Sequence, residues 1–248
     1  MGPSDGVFRR RLCLRGDGHA APSLGTLAGR KTGRLLTETG TMTLRHRLTL
    51  AFTALLCSPA LAHHPMGGST PSTLTEGLLS GLGHPILGLD HLAALVAVGL
   101  VASRYASGAL LLPVLWIAGM GLGAFAHMNS FDLPAGEMLV AGSLVLIGAI
   151  GVLKPSLPLP ALAALFVAAG FAHGHALAES IIGADTAVVG AYLLGLVAVQ
   201  AAVTVGTILL VRQLFSPETG LTLPVRAAAA AMGCIGLVFL IAALPATA

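Results

Sequence analysis

The sequence predicts an all-α, polytopic membrane protein with six transmembrane helices behind a cleavable signal peptide. Three observations carry this. Hydrophobic residues make up 55% of the chain and charged residues 9%, against roughly 25% charged in a soluble domain. Mean hydropathy is +0.89. Six apolar runs, at about 77–101, 106–127, 137–153, 159–182, 187–211 and 225–244, approach or exceed the roughly 20 residues that cross a bilayer.

The first 62 residues read differently from the rest. Residues 1–41 are rich in Gly, Arg and Thr with no apolar period, which predicts a disordered or misassigned extension. Met42 opens a signal-peptide pattern: Arg45 and Arg47 form the basic region, Leu48–Cys57 the apolar region, and Ala60-Leu61-Ala62 a small-x-small cleavage site. Ten apolar residues are too few to span a bilayer. Cleavage after Ala62 leaves a membrane domain, 63–248, that begins His63-His64-Pro65-Met66. A new α-amine beside two imidazoles suits metal capture; a polar tail that happens to carry two histidines is the other reading.

Charge then orients the spans. Nine of the 13 Lys and Arg residues lie in residues 1–47, leaving Arg104, Lys154, Arg212 and Arg226. With the N-terminus exported, all four fall in inside loops, as the positive-inside rule expects, while Asp132, Glu137 and Asp185 fall outside. Both mature termini are therefore expected on the outer side. The body of the chain is mildly acidic, so its basic isoelectric point predicts no nucleic-acid partner. Of three cysteines only Cys234 lies in the apolar body, which excludes an internal disulfide there and disfavours thiolate-based copper(I) or iron–sulfur chemistry. Gly77xxxGly81, Gly119xxxGly123 and Gly170xxxGly174 offer faces on which helices can approach closely.

Ionisable groups inside the apolar runs are the functional signal. The first span carries His84 and Asp90-His91, and the fourth carries His173, His175 and Glu179. Such groups are costly in hydrocarbon and persist there only when paired, hydrated or bound to something. Imidazole with carboxylate is a donor set for nickel, cobalt or zinc. At 1.5 Å per residue His84 and the His173–Glu179 segment share a depth, which predicts that the first and fourth spans pack together around a common interior. On a straight helix His84 and His91 would lie about 10 Å apart along the axis and act as successive stations, with Asp90 and His91 the deeper one. His175 and Glu179, four apart, could converge on one ion, whereas His173 points away from His175. Pro85 and the run Gly81-Leu82-Gly83 make a helix break plausible. His127, at the outer end of the second span, is either a further ligand or a histidine hydrogen-bonded to a neighbouring helix, and His175 carries the same pair of readings. Glu76, Asp132, Glu137 and Asp185 read as solvated loop carboxylates. No Gly-x-Ser-x-Gly, His-Glu-x-x-His or Walker loop is present in the sequence.

His84-x5-Asp90-His91 in a first span, just after a signal peptide that ends at a histidine, resembles the HupE/UreJ family of small bacterial permeases. Phe171-Ala-His173-Gly-His175-Ala-Leu-Ala-Glu179 is similar to that family's fourth-span pattern, although many members have a second His-Gly where this chain has Leu177-Ala178. The resemblance covers about residues 63–245. It implies an inner-membrane permease importing Ni2+, with Co2+ or Zn2+ open, through His84, Asp90, His91, His173 and Glu179. It also implies a link to hydrogenase or urease maturation proteins. No organic cofactor is expected; the scarcity of aromatics, 4% of the chain, argues against haem. A second reading remains: a membrane-embedded zinc hydrolase, in which three His/Asp ligands hold the ion and Glu179 acts as base.

Overall fold

A computed structural model describes residues 69–105, 108–153, 157–215 and 222–244. The extension 1–41, the signal peptide 42–62, His63, His64 and Lys154 lie outside the described residues. Among the described residues all regular structure is helical: α1 (Leu74–Leu87), α2 (Leu89–Ala102), α3 (Leu111–Met128), α4 (Gly136–Leu153), α5 (Leu159–Ala178), α6 (Thr186–Leu214) and α7 (Leu223–Ala242). The six apolar runs correspond to α1 with α2, then α3 to α7 in turn.

The first span is where sequence and structure part. Thr73 caps α1: its hydroxyl accepts from the Glu76 amide at 3.2 Å, and the Glu76 carboxylate accepts in return from the amides of Ser72 and Thr73. This reciprocal cap gives Glu76 a structural task rather than that of a solvated loop carboxylate. The helix stops at Leu87, Gly88 is extended (φ −75°, ψ 101°), and α2 leaves at a bend of 76°. The break lies at Gly88, three residues beyond Pro85, and not in the Gly81–Gly83 run. Each 14-residue half is only about 21 Å long, short of a roughly 30 Å hydrocarbon core.

Together the two halves do cross the bundle, as the loop contacts show. Arg104, just after α2, donates to the Ile150 carbonyl at the end of α4; Arg212, at the end of α6, donates to the Tyr105 carbonyl; Arg226 donates to Val152. One end of the molecule thus collects three arginines. The opposite end holds the start of α1, packed on the start of α6 through Gly77 and Val188, and a vestibule bordered by Asp132. The helix pair begins at the acidic end and finishes at the basic one, as a broken span does, which with α3 to α7 gives six candidate spans among the described residues.

Close glycine contacts decide which helices pair. On α1, a methyl group at Gly77 or Gly81 would meet the Val188 or Tyr192 carbonyl of α6, and one at Gly195 of α6 would meet Leu78. On α3 and α5 the two Gly-x-x-x-Gly faces interlock: Gly119 and Gly123 lie on the Val167 and Phe171 carbonyls, while Gly170 and Gly174 lie on Trp116 and Met120. Gly148 and Gly233 bring α4 and α7 together. The first and fourth spans therefore do not form a helix pair as expected; α1 packs chiefly on α6, and α5 on α3. Small-residue faces fix the backbone partners, and the matched depth of the polar groups fixes only that their side chains meet. α2 sits at the centre, buried along Ala93–Leu95 and Ala97–Ala102, while leucines such as Leu153, Leu194 and Leu223 cover an outer surface suited to lipid.

Candidate functional site

The bend at Gly88 folds His84 and His91 onto each other. Their rings stack with centroids 6.0 Å apart, where a straight helix would separate them by about 10 Å along its axis. They are neighbours, not successive stations. His91 in turn meets His173 of α5, ring centroids 5.2 Å apart, and His173 lies 4.8 Å from the ring of Trp116 on α3. His84, Asp90, His91 and His173 are all buried, at 5% exposure or less. Asp90 approaches its neighbour, with Oδ1 2.9 Å from His91 Nδ1, and its charge reaches His173 as well. Among the described residues neither ring nitrogen of His91 has a hydrogen-bond partner. A cavity of about 10 Å3 borders His91, His173, Trp116, Pro85 and Gln200, enough for one water-sized occupant.

Polar groups that sequence reasoning passed over hold this cluster in place. His84 Nδ1 lies 3.1 Å from the Tyr192 hydroxyl and 3.2 Å from the Ser180 hydroxyl. Tyr192 itself donates to the Leu177 carbonyl at 2.7 Å. His173 Nε2 lies 3.0 Å from Ser143 Oγ, and Ser143 donates to the Val140 carbonyl at 2.7 Å. Trp116 donates its indole N–H to Gln200. One signal for some of these was available: the chain has a single Trp and two Tyr, and Trp116, Tyr192 and Gln200 stand inside apolar runs. Which way they faced was not readable, because it depends on helix pairing.

A second group lies nearer the acidic end. His175 faces away from His173, as expected for neighbours two apart on a helix, and meets His127 of α3 with ring centroids 4.1 Å apart. His127 Nδ1 is 2.9–3.0 Å from both ring nitrogens of His175, and His175 Nε2 is 2.8 Å from the Phe131 carbonyl. His127 also lines an open vestibule of about 380 Å3 with Ser130, Phe131, Asp132 and Gly183. The pairing of His175 with Glu179 is not formed. α5 ends at Ala178, Glu179 falls in a 3-10 turn (Glu179–Ile181) and is exposed, and its charge acts with that of Asp132 on His127. Of the five residues singled out first, the structure gathers His84, Asp90, His91 and His173 and leaves Glu179 at the mouth. Among the described residues no three His, Cys, Asp or Glu side chains converge as a metal-holding set. The donors form an interrupted row from the vestibule inward.

Comparison with known proteins places the chain in a family. The profile of the family described as "HupE / UreJ protein" matches residues 50–239. Protein HupE of Rhizobium leguminosarum bv. viciae is 31% identical over 123 residues, 49% of this chain and 62% of that protein; the match thus spans less than two thirds of the relative's length. No solved structure matches. With its broken histidine-bearing first span and a family match over three quarters of its length, the chain belongs to the HupE/UreJ family.

Proposed function

We propose that the protein is a secondary permease that imports a divalent transition metal, Ni2+ foremost and Co2+ or Zn2+ as competitors, across the bacterial inner membrane. The observation that carries this reading is the row of donors, half-buried His127 with His175 and then the buried His173–His91–Asp90–His84, beside a vestibule at the acidic end. Imidazole nitrogen suits these borderline ions. Asp132 and Glu179 attract a hydrated cation to the mouth, His127 and His175 exchange water for nitrogen, and the buried cluster receives the ion. Asp90 supplies the negative charge that offsets a dication where water is excluded. Donors arranged in a row, rather than closed on one point, favour passage over the single three-ligand zinc site that hydrolysis would need.

The arginine-rich end is cytoplasmic in this reading, both mature termini are periplasmic, residues 42–62 are the signal peptide and 1–41 an extension. The sequence carries no Walker loop, so the driving force is an ion gradient, the membrane potential or a proton. Because donors must shed protons to bind metal, uptake couples to pH. Hydrogenase or urease maturation proteins are the recipients that the family suggests. The test is accumulation of labelled Ni2+ by cells expressing the full chain, with Co2+ and Zn2+ as competitors. Saturable Ni2+ accumulation above the empty-vector level is expected. Metal binding by purified protein with no accumulation of any of the three ions would overturn transport and bring the hydrolase reading forward.

A further inference from the structure

α3 ends by a backbone device that normally uses glycine. The Phe131 amide donates to the Ala126 carbonyl at 3.0 Å and the Ser130 amide to the His127 carbonyl at 2.9 Å, the paired bonds that close a helix where one residue turns left-handed. That residue is Ser130, at φ 62°, and Ala135, just before α4, is left-handed too, at φ 57°. A side chain makes this conformation unfavourable, so residues 131–134 hang between two strained pivots. Phe131 fastens this strap to α5. Phe171 and His175, four apart and so on one face of that helix, receive it. The Phe131 ring meets the Phe171 ring edge to face, centroids 6.3 Å apart, and the Phe131 carbonyl lies 2.8 Å from His175 Nε2. The strap also stands between the vestibule and the row of donors. His127, Ser130, Phe131 and Asp132 border the vestibule; His175 is not among the bordering residues and is buried, at 5% exposure.

We propose that residues 131–134 are a strap closed over His175 with Phe131 as its latch: a divalent cation arriving from the vestibule takes His175 Nε2, displaces the Phe131 carbonyl and lets the strap swing on Ser130 and Ala135. Nε2 is the nitrogen concerned because it is the one in contact with a residue of the vestibule wall. A carbonyl can only accept, so its contact needs hydrogen on Nε2, and a nitrogen that carries hydrogen cannot hold a cation. The two occupants exclude each other. His127 Nδ1, 2.9 Å from the same nitrogen, belongs to the vestibule wall, so the first donor an ion meets stands beside the one it must free. Opening lets both pivots leave the left-handed region, and Asp132 moves with the strap. The inference rests on the reading of His127 and His175 as outer donors of a metal path, whereas the latch itself is a property of the metal-free protein.

Hydrogen–deuterium exchange of the full chain, purified metal-free in detergent, reads the strap through the amides of Ser130 and Phe131, which are bonded only while it is closed. Saturating Ni2+, with binding followed separately by calorimetry, should speed their exchange about tenfold, the scale of one hydrogen bond and one aromatic pair. Phe131→Ala should speed it about fivefold without metal, through loss of the ring contact, and Phe171→Leu, which removes the same contact from α5, should match it; a thermal melt confirms that both fold. Ser130→Gly, which takes the left-handed conformation without cost, should slow exchange and weaken Ni2+ binding, each by about fivefold. His175→Gln should lose the Ni2+-induced acceleration. Unchanged strap exchange at saturating Ni2+, the outcome if the ion takes Nδ1 and leaves the carbonyl in place, would overturn the proposal while leaving transport standing. Parent-like exchange in both Phe131→Ala and Phe171→Leu would also overturn it. Exchange accelerated as stated, in a protein that accumulates no Ni2+ in cells, would uphold the latch while removing the transport reading.

Discussion

Asp90→Asn isolates one variable, the single negative charge in the buried cluster. The amide is nearly isosteric, so the packing around position 90 is retained while the charge is removed. An ion on the far nitrogen of His91 would sit roughly 7 Å from the carboxylate, given the 2.9 Å contact, the width of the ring and a metal–nitrogen bond of about 2 Å. At an effective dielectric of about 20, a unit charge and a dication at that distance interact by about 5 kcal/mol, or between 10^3 and 10^4 in affinity. Local relaxation and water absorb part of this, so binding and uptake should fall by about two to three orders of magnitude. The assay is Ni2+ accumulation across a wide concentration range, beside Ni2+ titration of purified protein and a thermal melt to confirm folding. Glu179→Gln is the internal comparison, because Glu179 is exposed at the mouth; its defect should be milder and recover at high metal. Uptake by Asp90→Asn within about threefold of the parent, with a normal melt, would refute the electrostatic reasoning. So would a more severe defect in Glu179→Gln with metal binding intact in Asp90→Asn.

Three further outcomes follow from particular contacts. Gly123→Ala and Gly174→Ala should each destabilise the detergent-solubilised protein by about 1–3 kcal/mol through overpacking, because the added methyl meets the Phe171 or Met120 carbonyl; Gly121→Ala and Gly142→Ala, with nothing within 4 Å, should melt at or slightly above the parent temperature. Trp116, the one tryptophan, lies 4.8 Å from the His173 ring, so Ni2+ should quench intrinsic fluorescence saturably and His173→Gln should lose the quenching; unchanged emission at saturating Ni2+ would exclude the cluster as a binding site. Intact-mass analysis should find the mature protein starting at His63, and replacing His63 and His64 should lower uptake only at limiting metal, an equal loss at all concentrations ruling out a capture role.

Much of the architecture was already legible in the chain. Period-independent apolar runs set the approximate bounds of the candidate spans, though not the division of the first into two helices, since hydrocarbon leaves a backbone few other ways to satisfy its own polar groups. Arg104, Arg212 and Arg226 gather at one end of the bundle, as their spacing along the chain predicted, and the cost of burying charge singled out His84, Asp90, His91 and His173, which the fold does bury together. What the sequence left undecided were direction and proximity. Pro85 announced a break, but where the bend fell depended on Gly88, and only the 76° turn there brought His84 against His91. Sequence spacing paired His175 with Glu179, yet the end of α5 at Ala178 carried the carboxylate to the surface and left His175 to His127. The matched depth of the first and fourth spans brought only His173 of the His173–Glu179 segment to His91 and His84, while the helix pairs themselves were chosen by glycine faces in close contact, α1 with α6 and α3 with α5. Depth follows from counting residues along one helix. Azimuth and partner follow from packing between helices, and it is packing that places Ser143, Tyr192 and Trp116 around imidazoles 30 to more than 100 residues away.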